Sequence, residues 1–317
     1  TSPDLVALVR LLVKNREALD GLETGTARLV GGARRLWHAL RANSRSGARR
    51  NIRAHYDVGN EFFRLILDET MTYSCALFDH PDAPLAQASL AKYDRIARLL
   101  DLKPGEHIVE IGTGWGGFAI HAASRYGCRV TTTTISAAQH DLARRRIQDA
   151  GVADRVTLLQ ADYRDLRGTF DKLASIEMIE AIGHDQYPTF YRQCADLLAP
   201  HGRAVIQAIT IADDRYEQAR REVDFIKRHI FPGSCIPSRA ILAQAAAATD
   251  LAPVQGDEIG LHYAETLRRW RANLLSRRED ARALGYDDHF IRLWEFYFCY
   301  CEGGFLERAI GAAQLVY

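Results

Sequence analysis

The run Glu110-Ile111-Gly112-Thr113-Gly114-Trp115-Gly116-Gly117 constrains this chain more than any other stretch, because it sets a glycine-rich turn between an apolar strand and a helical run. His107 to Ile111 reads as the strand, and Phe118 to Ala123 opens the helix. A turn without side chains lets backbone N–H groups approach a ligand at the strand end, where the positive end of the next helix also points. The pattern predicts an α/β domain with a nucleotide-type pocket at this turn.

Two cofactor classes satisfy the turn. Gly112, Gly114 and Gly117 match the G-x-G-x-x-G spacing of dinucleotide-binding folds, a weak signal by itself. A nicotinamide site also wants an acid about 20 residues on to hold the ribose hydroxyls. That region reads Val130-Thr131-Thr132-Thr133-Thr134-Ile135-Ser136 and carries none. Glu110, two residues before the first glycine, suits a cofactor whose cationic amino-acid end lies against the turn, as in S-adenosylmethionine. A methyltransferase is therefore the leading reading and a nicotinamide-dependent oxidoreductase the alternative.

From residue 107 onward, β-rich and helical runs alternate as in a doubly wound α/β domain. Strands are expected at His107–Ile111, Cys128–Thr134, Val156–Gln160, Lys172–Ile176 and Arg203–Ile211. Helices are expected at Phe118–Tyr126, Ala137–Ala150 and Asp185–Leu198, with Gly127, Gly151 and Gly202 as stops. Four strands thus end near Gly112, Thr134, Glu177 and Ile211, and ligands of such sheets bind beyond the carboxyl ends of the strands. Further on, Arg215–Ile230, Ser238–Thr249, Tyr263–Arg282 and Asp287–Tyr300 read as helices, with strands at Leu251–Ile259 and Ala309–Tyr317.

The 317 residues suffice for one principal domain with appendages. No run of about 18 apolar residues occurs, and the start lacks the pattern of a secretory signal, so a cytoplasmic protein is expected. Cys75, Cys128, Cys194, Cys235, Cys299 and Cys301 show no C-x-x-C spacing, which argues against zinc, any other metal site and a disulfide framework. The overall charge of +1 hides a polarity: residues 1–54 hold eleven Arg and Lys against four acids, +7, which leaves −6 for the rest. Apolar clusters at Leu5–Val13 and Leu36-Trp37-Leu40 accompany these charges. A basic helical segment over residues 1–50 can lie on an anionic membrane surface, here the inner face, or pack on its own domain. Nucleic acid is disfavoured, since no recognition motif is present.

Upstream of the turn stand Ala54-His55-Tyr56-Asp57-Val58-Gly59-Asn60 and Met71-Thr72-Tyr73-Ser74-Cys75. Downstream come Asp162-Tyr163-Arg164-Asp165-Leu166, Ile179-Glu180-Ala181-Ile182-Gly183-His184, Phe225-Ile226-Lys227, Ile230-Phe231-Pro232-Gly233, His262-Tyr263-Ala264-Glu265-Thr266-Leu267 and Cys301-Glu302-Gly303-Gly304-Phe305. In this order they resemble the cyclopropane fatty acid and mycolic acid cyclopropane synthases, from about Asn51 to the C-terminus. The resemblance implies a Rossmann-like methyltransferase sheet of seven strands, the last antiparallel, with a helical insertion after strand 5. It divides the chain into a lead segment 1–50 and a catalytic domain 51–317, whose helices 213–250 and 263–300 cover the substrate. Relatives are often dimers, so a homodimer is an expectation too.

What the resemblance implies for the site is specific. Tyr73 and Ser74 cover S-adenosylmethionine, and Glu110, Gly112, Thr113, Gly114, Trp115 and Gly116 hold its methionine and ribose. Thr134, Ile135 and Gln139 touch the ribose or methionine end, while Asp162 and Tyr163 flank the adenine. For Asp162 a helix-capping role is the plain alternative. The substrate is an unsaturated acyl chain, in phospholipid or free, whose alkene attacks the sulfonium methyl without a general base. A bicarbonate ion held by Cys75, Glu180, Ile209 and Tyr263, the cysteine and isoleucine through backbone groups, takes the proton when a cyclopropane closes. Aromatic faces of Tyr73, Tyr263 and Phe231 would steady the cation. Two departures stand out: Gln207 where many relatives have histidine, and Thr113 where cysteine is common. Glutamine cannot carry a proton at neutral pH, so a methyl-branched or methylene product is the alternative to cyclopropane. Cys301 matches a cysteine once proposed as catalytic; a structural role is expected for it, because this chemistry uses no thiolate.

Overall fold

The structure, a computed structural model, describes residues 4–16 and 58–317. The Leu36-Trp37-Leu40 cluster, most of the basic charge of the lead segment and residues 54–57 of the first motif lie outside the described residues.

The glycine turn forms as its sequence predicts. Strand β1 (His107–Ile111) is buried along nearly its whole length, and Gly112 follows it at φ +102°, a backbone state that side chains resist. Helix α4 (Gly117–Arg125) then begins, where a Cβ on Gly117 would lie 2.4 Å from the Tyr93 hydroxyl. Before the sheet come α1 (Leu5–Lys14), capped by the Asp4 carboxylate on Ala7 N–H at 3.0 Å, then α2 (Asn60–Ile66) and α3 (Leu85–Leu100). Next are β2 (Arg129–Thr133), α5 (Ala137–Asp149), β3 (Val156–Leu159), β4 (Phe170–Ile176), α6 (Tyr187–Leu197) and β5 (Leu198–Ile211). The C-terminal part contains α7 (Asp213–Arg221), α8 (Phe225–His229), α9 (Arg239–Ala246), β6 (Gln255–Glu258), α10 (Gly260–Ser276), α11 (Arg278–Ala283), α12 (Asp288–Leu306) and β7 (Ile310–Val316).

The seven strands form one sheet in the order β3-β2-β1-β4-β5-β7-β6. Pairs β1–β2, β1–β4, β2–β3 and β4–β5 are parallel, and β7 runs antiparallel to both β5 and β6. The order reverses between β1 and β4, so the crevice for a ligand opens beyond Ile111 and Ile176. One face of the sheet is covered by α3 and α4 over Ile96, Ile108, Phe118 and Val130, the other by α6 and α9 over Leu173, Phe190, Tyr191 and Leu242. A third, aromatic core joins α2, α10 and α12 through Phe62, Phe63, Trp270, Trp294 and Phe298, and forms a helical cap over the strand ends.

Several boundaries differ from expectation for local reasons. The helix expected over Arg215–Ile230 is two helices, because Asp224 accepts from Lys227 N–H at 2.9 Å and starts a new turn. Lys227 Nζ bends back onto the carbonyls of Ala219 and Glu222 and closes the joint. The Tyr263–Arg282 helix likewise breaks at Arg277, whose φ −112° and ψ +28° are non-helical. Helix α6 stops at Leu197 and passes directly into β5, which leaves Gly202 inside the strand stretch and not at a helix end. The strand expected over Leu251–Ile259 keeps only Gln255–Glu258. Helix α12 outruns its expected end because Gly303 and Gly304 leave room for neighbours: a Cβ on Gly303 would sit 2.6 Å from Val9 Cγ1. The described part of the lead segment thus packs on its own domain, and Arg10 pairs with Glu307 at 2.6 Å. No helix among the described residues is long and apolar enough to cross a membrane.

Candidate active site

One cavity of about 680 Å³ runs from the glycine turn, past the ends of β1, β4 and β5, to the inner side of α1. Its volume suits a cofactor together with part of a second ligand. At the turn end, Thr132 Oγ1 donates to Glu110 at 2.6 Å and shares a hydrogen bond with Thr113 Oγ1 at 2.7 Å. Burial pushes the Glu110 carboxyl up to about 8, against the pull of Thr132 and Lys92. Thr134 Oγ1 donates to Gln139 Oε1 at 2.8 Å, and Ser136 caps α5, which fixes both side chains at the cavity wall. Trp115 Nε1 donates to Asn60 at 2.8 Å, and Arg146 holds the Trp115 carbonyl at 2.7 Å, tying the turn to α2 and α5. Asp162 accepts Arg164 at 2.8 and 2.7 Å and caps the short 3-10 turn Tyr163–Asp165, so its capping role coexists with its place on the cavity wall.

The far half is aromatic. Tyr73 lies 5.1 Å from Trp270, stacks 6.5 Å from Phe231 and shares a hydrogen bond with Tyr297 at 3.1 Å. Tyr263 stacks on Phe305 at 4.6 Å and 15°. Beyond these rings the wall is formed by Leu8, Val9, Leu12 and Val13 of α1.

Between the two halves stand two acids, Glu180 buried and Glu177 half-buried on the cavity wall. Glu180 Oε1 accepts the Ile209 N–H, while its Oε2 is buried without a hydrogen-bond partner. Burial first, and then repulsion from Glu177, pushes the Glu180 carboxyl up to about 8. Glu177 is the residue that sequence reasoning did not select. Its Oε1 accepts the Cys75 N–H at 2.9 Å and Gln207 Nε2 at 2.7 Å, and its Oε2 accepts the Tyr263 hydroxyl at 2.6 Å. Glu177 has φ +52°, left-handed for a residue with a side chain, a state that costs roughly 1–3 kcal/mol and persists only where neighbours hold it. A signal existed, since Glu177 is the first residue after β4, at the switch point.

Of the expected site residues, Tyr73, Ser74, Glu110, Gly112, Thr113, Gly114, Trp115, Thr134, Ile135, Gln139, Asp162, Tyr163, Glu180, Ile209, Tyr263 and Cys301 line the cavity. Three do not. The Cys75 thiol turns toward the carbonyls of Ala76 and Ile259, and burial pushes it well up. Gln207 lies beneath the surface, bridging Glu177 and Gln314. Gly116 serves as the N-cap of α4 and faces Ala143. The groups expected around bicarbonate are already engaged: Cys75 N–H and Tyr263 donate to Glu177, and Ile209 N–H donates to Glu180. Burial pushes the Cys301 thiol up, which keeps it protonated. Lys92 was also missed: this lysine on the inward face of α3 donates to Ser74 Oγ at 2.8 Å, and burial lowers it to about 8. Its position among Ala88, Ser89, Tyr93 and Ile96, at helical spacing, was the available cue. Among the described residues no cluster of His, Cys, Asp and Glu could hold a metal ion.

The architecture has known counterparts. Residues 43–315 match the family described as mycolic acid cyclopropane synthetase. Over 271 residues the chain is 42% identical to the tuberculostearic acid methyltransferase UfaA1 of Mycobacterium tuberculosis, covering 83% of this chain and 63% of that protein. It is 34% identical to the cyclopropane-fatty-acyl-phospholipid synthase of Escherichia coli, covering 83% and 66%. The chain therefore spans a little under two thirds of the length of these two relatives. The solved structure of the mycolic acid cyclopropane synthase CmaA1 complexed with SAH and CTAB superposes with a TM-score of 0.80 at 29% identity, covering 84% of this chain and 97% of that one. The chain belongs to the mycolic acid cyclopropane synthetase family.

Proposed function

We propose that this chain is an S-adenosylmethionine-dependent C-methyltransferase acting on the double bond of an unsaturated fatty acyl chain. The observation that carries the reading is one cavity that joins the glycine turn to an aromatic compartment, with Glu177 and Glu180 on the wall between them. SAH in the CmaA1 structure supports the cofactor. The residues fit it: Glu110 puts a buried acid on the wall below the turn, and a Cβ at Gly114 would meet nothing within 4 Å, so the turn backbone is open to a ligand. When bound, the cofactor supplies an electrophilic methyl on a sulfonium. Glu110 and the turn would hold its amino-acid end, Thr134 and Gln139 its middle, and Asp162 and Tyr163 its adenine.

The acyl chain would lie between the aromatic rings and α1. An alkene attacks with its own π pair, so no residue need activate it. The positive charge left on the chain would be steadied by the faces of Tyr73, Tyr263 and Phe231, worth about 2 kcal/mol where water is excluded. The family description favours ring closure, in which the transferred methyl loses the proton. A second reading, an open-chain methylated product formed when a chain carbon loses the proton, is favoured by the 42% identity to a protein named as a methyltransferase and by Gln207. Leu8, Leu11 and Leu12 are exposed on α1 beside Arg10 and Lys14, which supports delivery of the acyl chain from an anionic phospholipid surface.

The test is incubation with S-adenosylmethionine and vesicles of unsaturated phospholipid, followed by mass spectrometry of the fatty acid methyl esters. A gain of one CH₂ is expected. No mass gain in any acyl chain, bound or free, sinks the proposal, and hydrogenation of the product separates ring from methylene.

A further inference from the structure

We propose that Glu177 is the built-in base that takes the proton from the acyl chain, and that its carboxylate fills the place of a bound bicarbonate. The geometry is that of an anion site completed by the protein itself. A main-chain N–H, a side-chain amide and a phenol converge on one carboxylate at 2.9, 2.7 and 2.6 Å, and that carboxylate lies at the β1/β4 switch point on the cavity wall. Each carboxylate oxygen accepts two hydrogen bonds. Oε1 already has two and Oε2 has one, so Oε2 keeps a lone pair for a proton.

Gln207 belongs to the same design. A carboxylate only accepts, so Gln207 presents its N–H₂ to Glu177, and its Oε1 then accepts Gln314 Nε2 at 2.9 Å on the other side. A glutamine that only donates suits a fixed carboxylate and has no proton to exchange. Lys92 adds positive charge near Glu177, and Glu180 adds repulsion, so the two acids do not ionise independently.

The step balances without an external reagent. For ring closure a C–H bond of the transferred methyl breaks and its electron pair forms the third ring bond to the cationic carbon. For an open-chain product a C–H bond on a carbon next to the cationic carbon breaks and its pair forms a new double bond. In either case the proton goes to Glu177 Oε2. The proton leaves to solvent after the product does. This base role rests on the acyl methyltransferase reading, whereas the occupancy of the anion site does not.

Glycine adopts φ +52° freely, so Glu177→Gly should keep the backbone and open a hole of anion size. The full chain and this variant are assayed for acyl methylation in CO₂-stripped buffer, with and without bicarbonate or formate, and both are titrated into ¹³C-bicarbonate and followed by NMR linewidth. Wild type is expected to turn over equally with and without bicarbonate and to leave the resonance sharp. The variant should be at least about 100-fold slower, the usual worth of a general base, should regain at least ten-fold with bicarbonate or formate, and should broaden the resonance. Glu177→Gln, which keeps the shape but accepts no proton, should stay slow under all conditions. A wild type that slows ten-fold on stripping or broadens bicarbonate overturns the proposal, as does a Gln variant at wild-type rate. If neither protein methylates any acyl chain the base role falls with the function, and the NMR arm still decides whether Glu177 fills the anion site.

Discussion

Replacing Tyr263 by phenylalanine removes one atom from the centre of this site. The ring remains stacked on Phe305 at 4.6 Å, so the packing should survive. What goes is the 2.6 Å hydrogen bond to Glu177 Oε2. A hydrogen bond to a charged partner contributes about 1.5–3 kcal/mol. At about 1.4 kcal/mol per factor of ten, the expected fall in kcat is roughly 10- to 150-fold, with the KM for S-adenosylmethionine unchanged. The pH dependence should move as well. Burial raises the Glu177 carboxyl, and Tyr263, the Cys75 N–H, Gln207 and Lys92 pull it down, while Glu180 faces it as a second acid. Without the phenol, Glu177 ionises at higher pH, so the acid limb of the rate profile shifts upward. Stability should fall mainly above that ionisation, where the carboxylate is charged and has lost a donor. The assay is transfer of labelled methyl from S-adenosylmethionine to unsaturated phospholipid vesicles across pH 5 to 9. A rate within two-fold of wild type with an unmoved acid limb would refute the assignment of Tyr263 to the charge state of Glu177.

Three further outcomes are expected. Glu180 has a folded value near 8 against an ordinary 4.5, so its contribution to stability is complete below about pH 4.5 and is lost as pH rises through 8; Glu180→Gln should flatten that decline in urea melts and abolish turnover with cofactor binding retained, and an unchanged slope would count against its burial as an acid. Gly117→Ala puts a methyl 2.4 Å from the Tyr93 hydroxyl and should cost about 1–3 kcal/mol together with cofactor affinity, checked by melting and by S-adenosylmethionine titration, with wild-type values on both speaking against a close turn. Gly303→Val should push Val9 away and release α1 from α12; faster amide exchange over residues 5–14 is expected, and unchanged protection would show that the two helices do not pack through this glycine.

How much of this was legible in the chain differs by element. The strand, turn and helix at His107–Arg125 were readable because apolar runs and glycines act locally: a residue without Cβ changes its own φ whatever the rest of the chain does. Helix breaks were less readable. Asp224 splits an otherwise continuous helical pattern only because its carboxylate meets Lys227 N–H and Lys227 turns back to close the joint. Lys92 looked like an ordinary charge on a helix until α3 was seen to turn it inward to Ser74.

The chain by itself determined the sheet, the place where a cofactor should sit and the family, since periodicity, turn chemistry and ordered motifs are properties of neighbouring residues. Only the tertiary structure decided where Cys75, Gln207 and Tyr263 direct their donors. They come from a loop, the fifth strand and a helix of the cap, separated by more than fifty residues at each step, and their meeting on Glu177 depends on the parallel β4–β5 register that sets Ile176 beside Gln207. Hydrogen-bond partners across such distances are fixed by packing, not by sequence spacing, which is why the carboxylate at the centre of the site was visible only as the end of a strand.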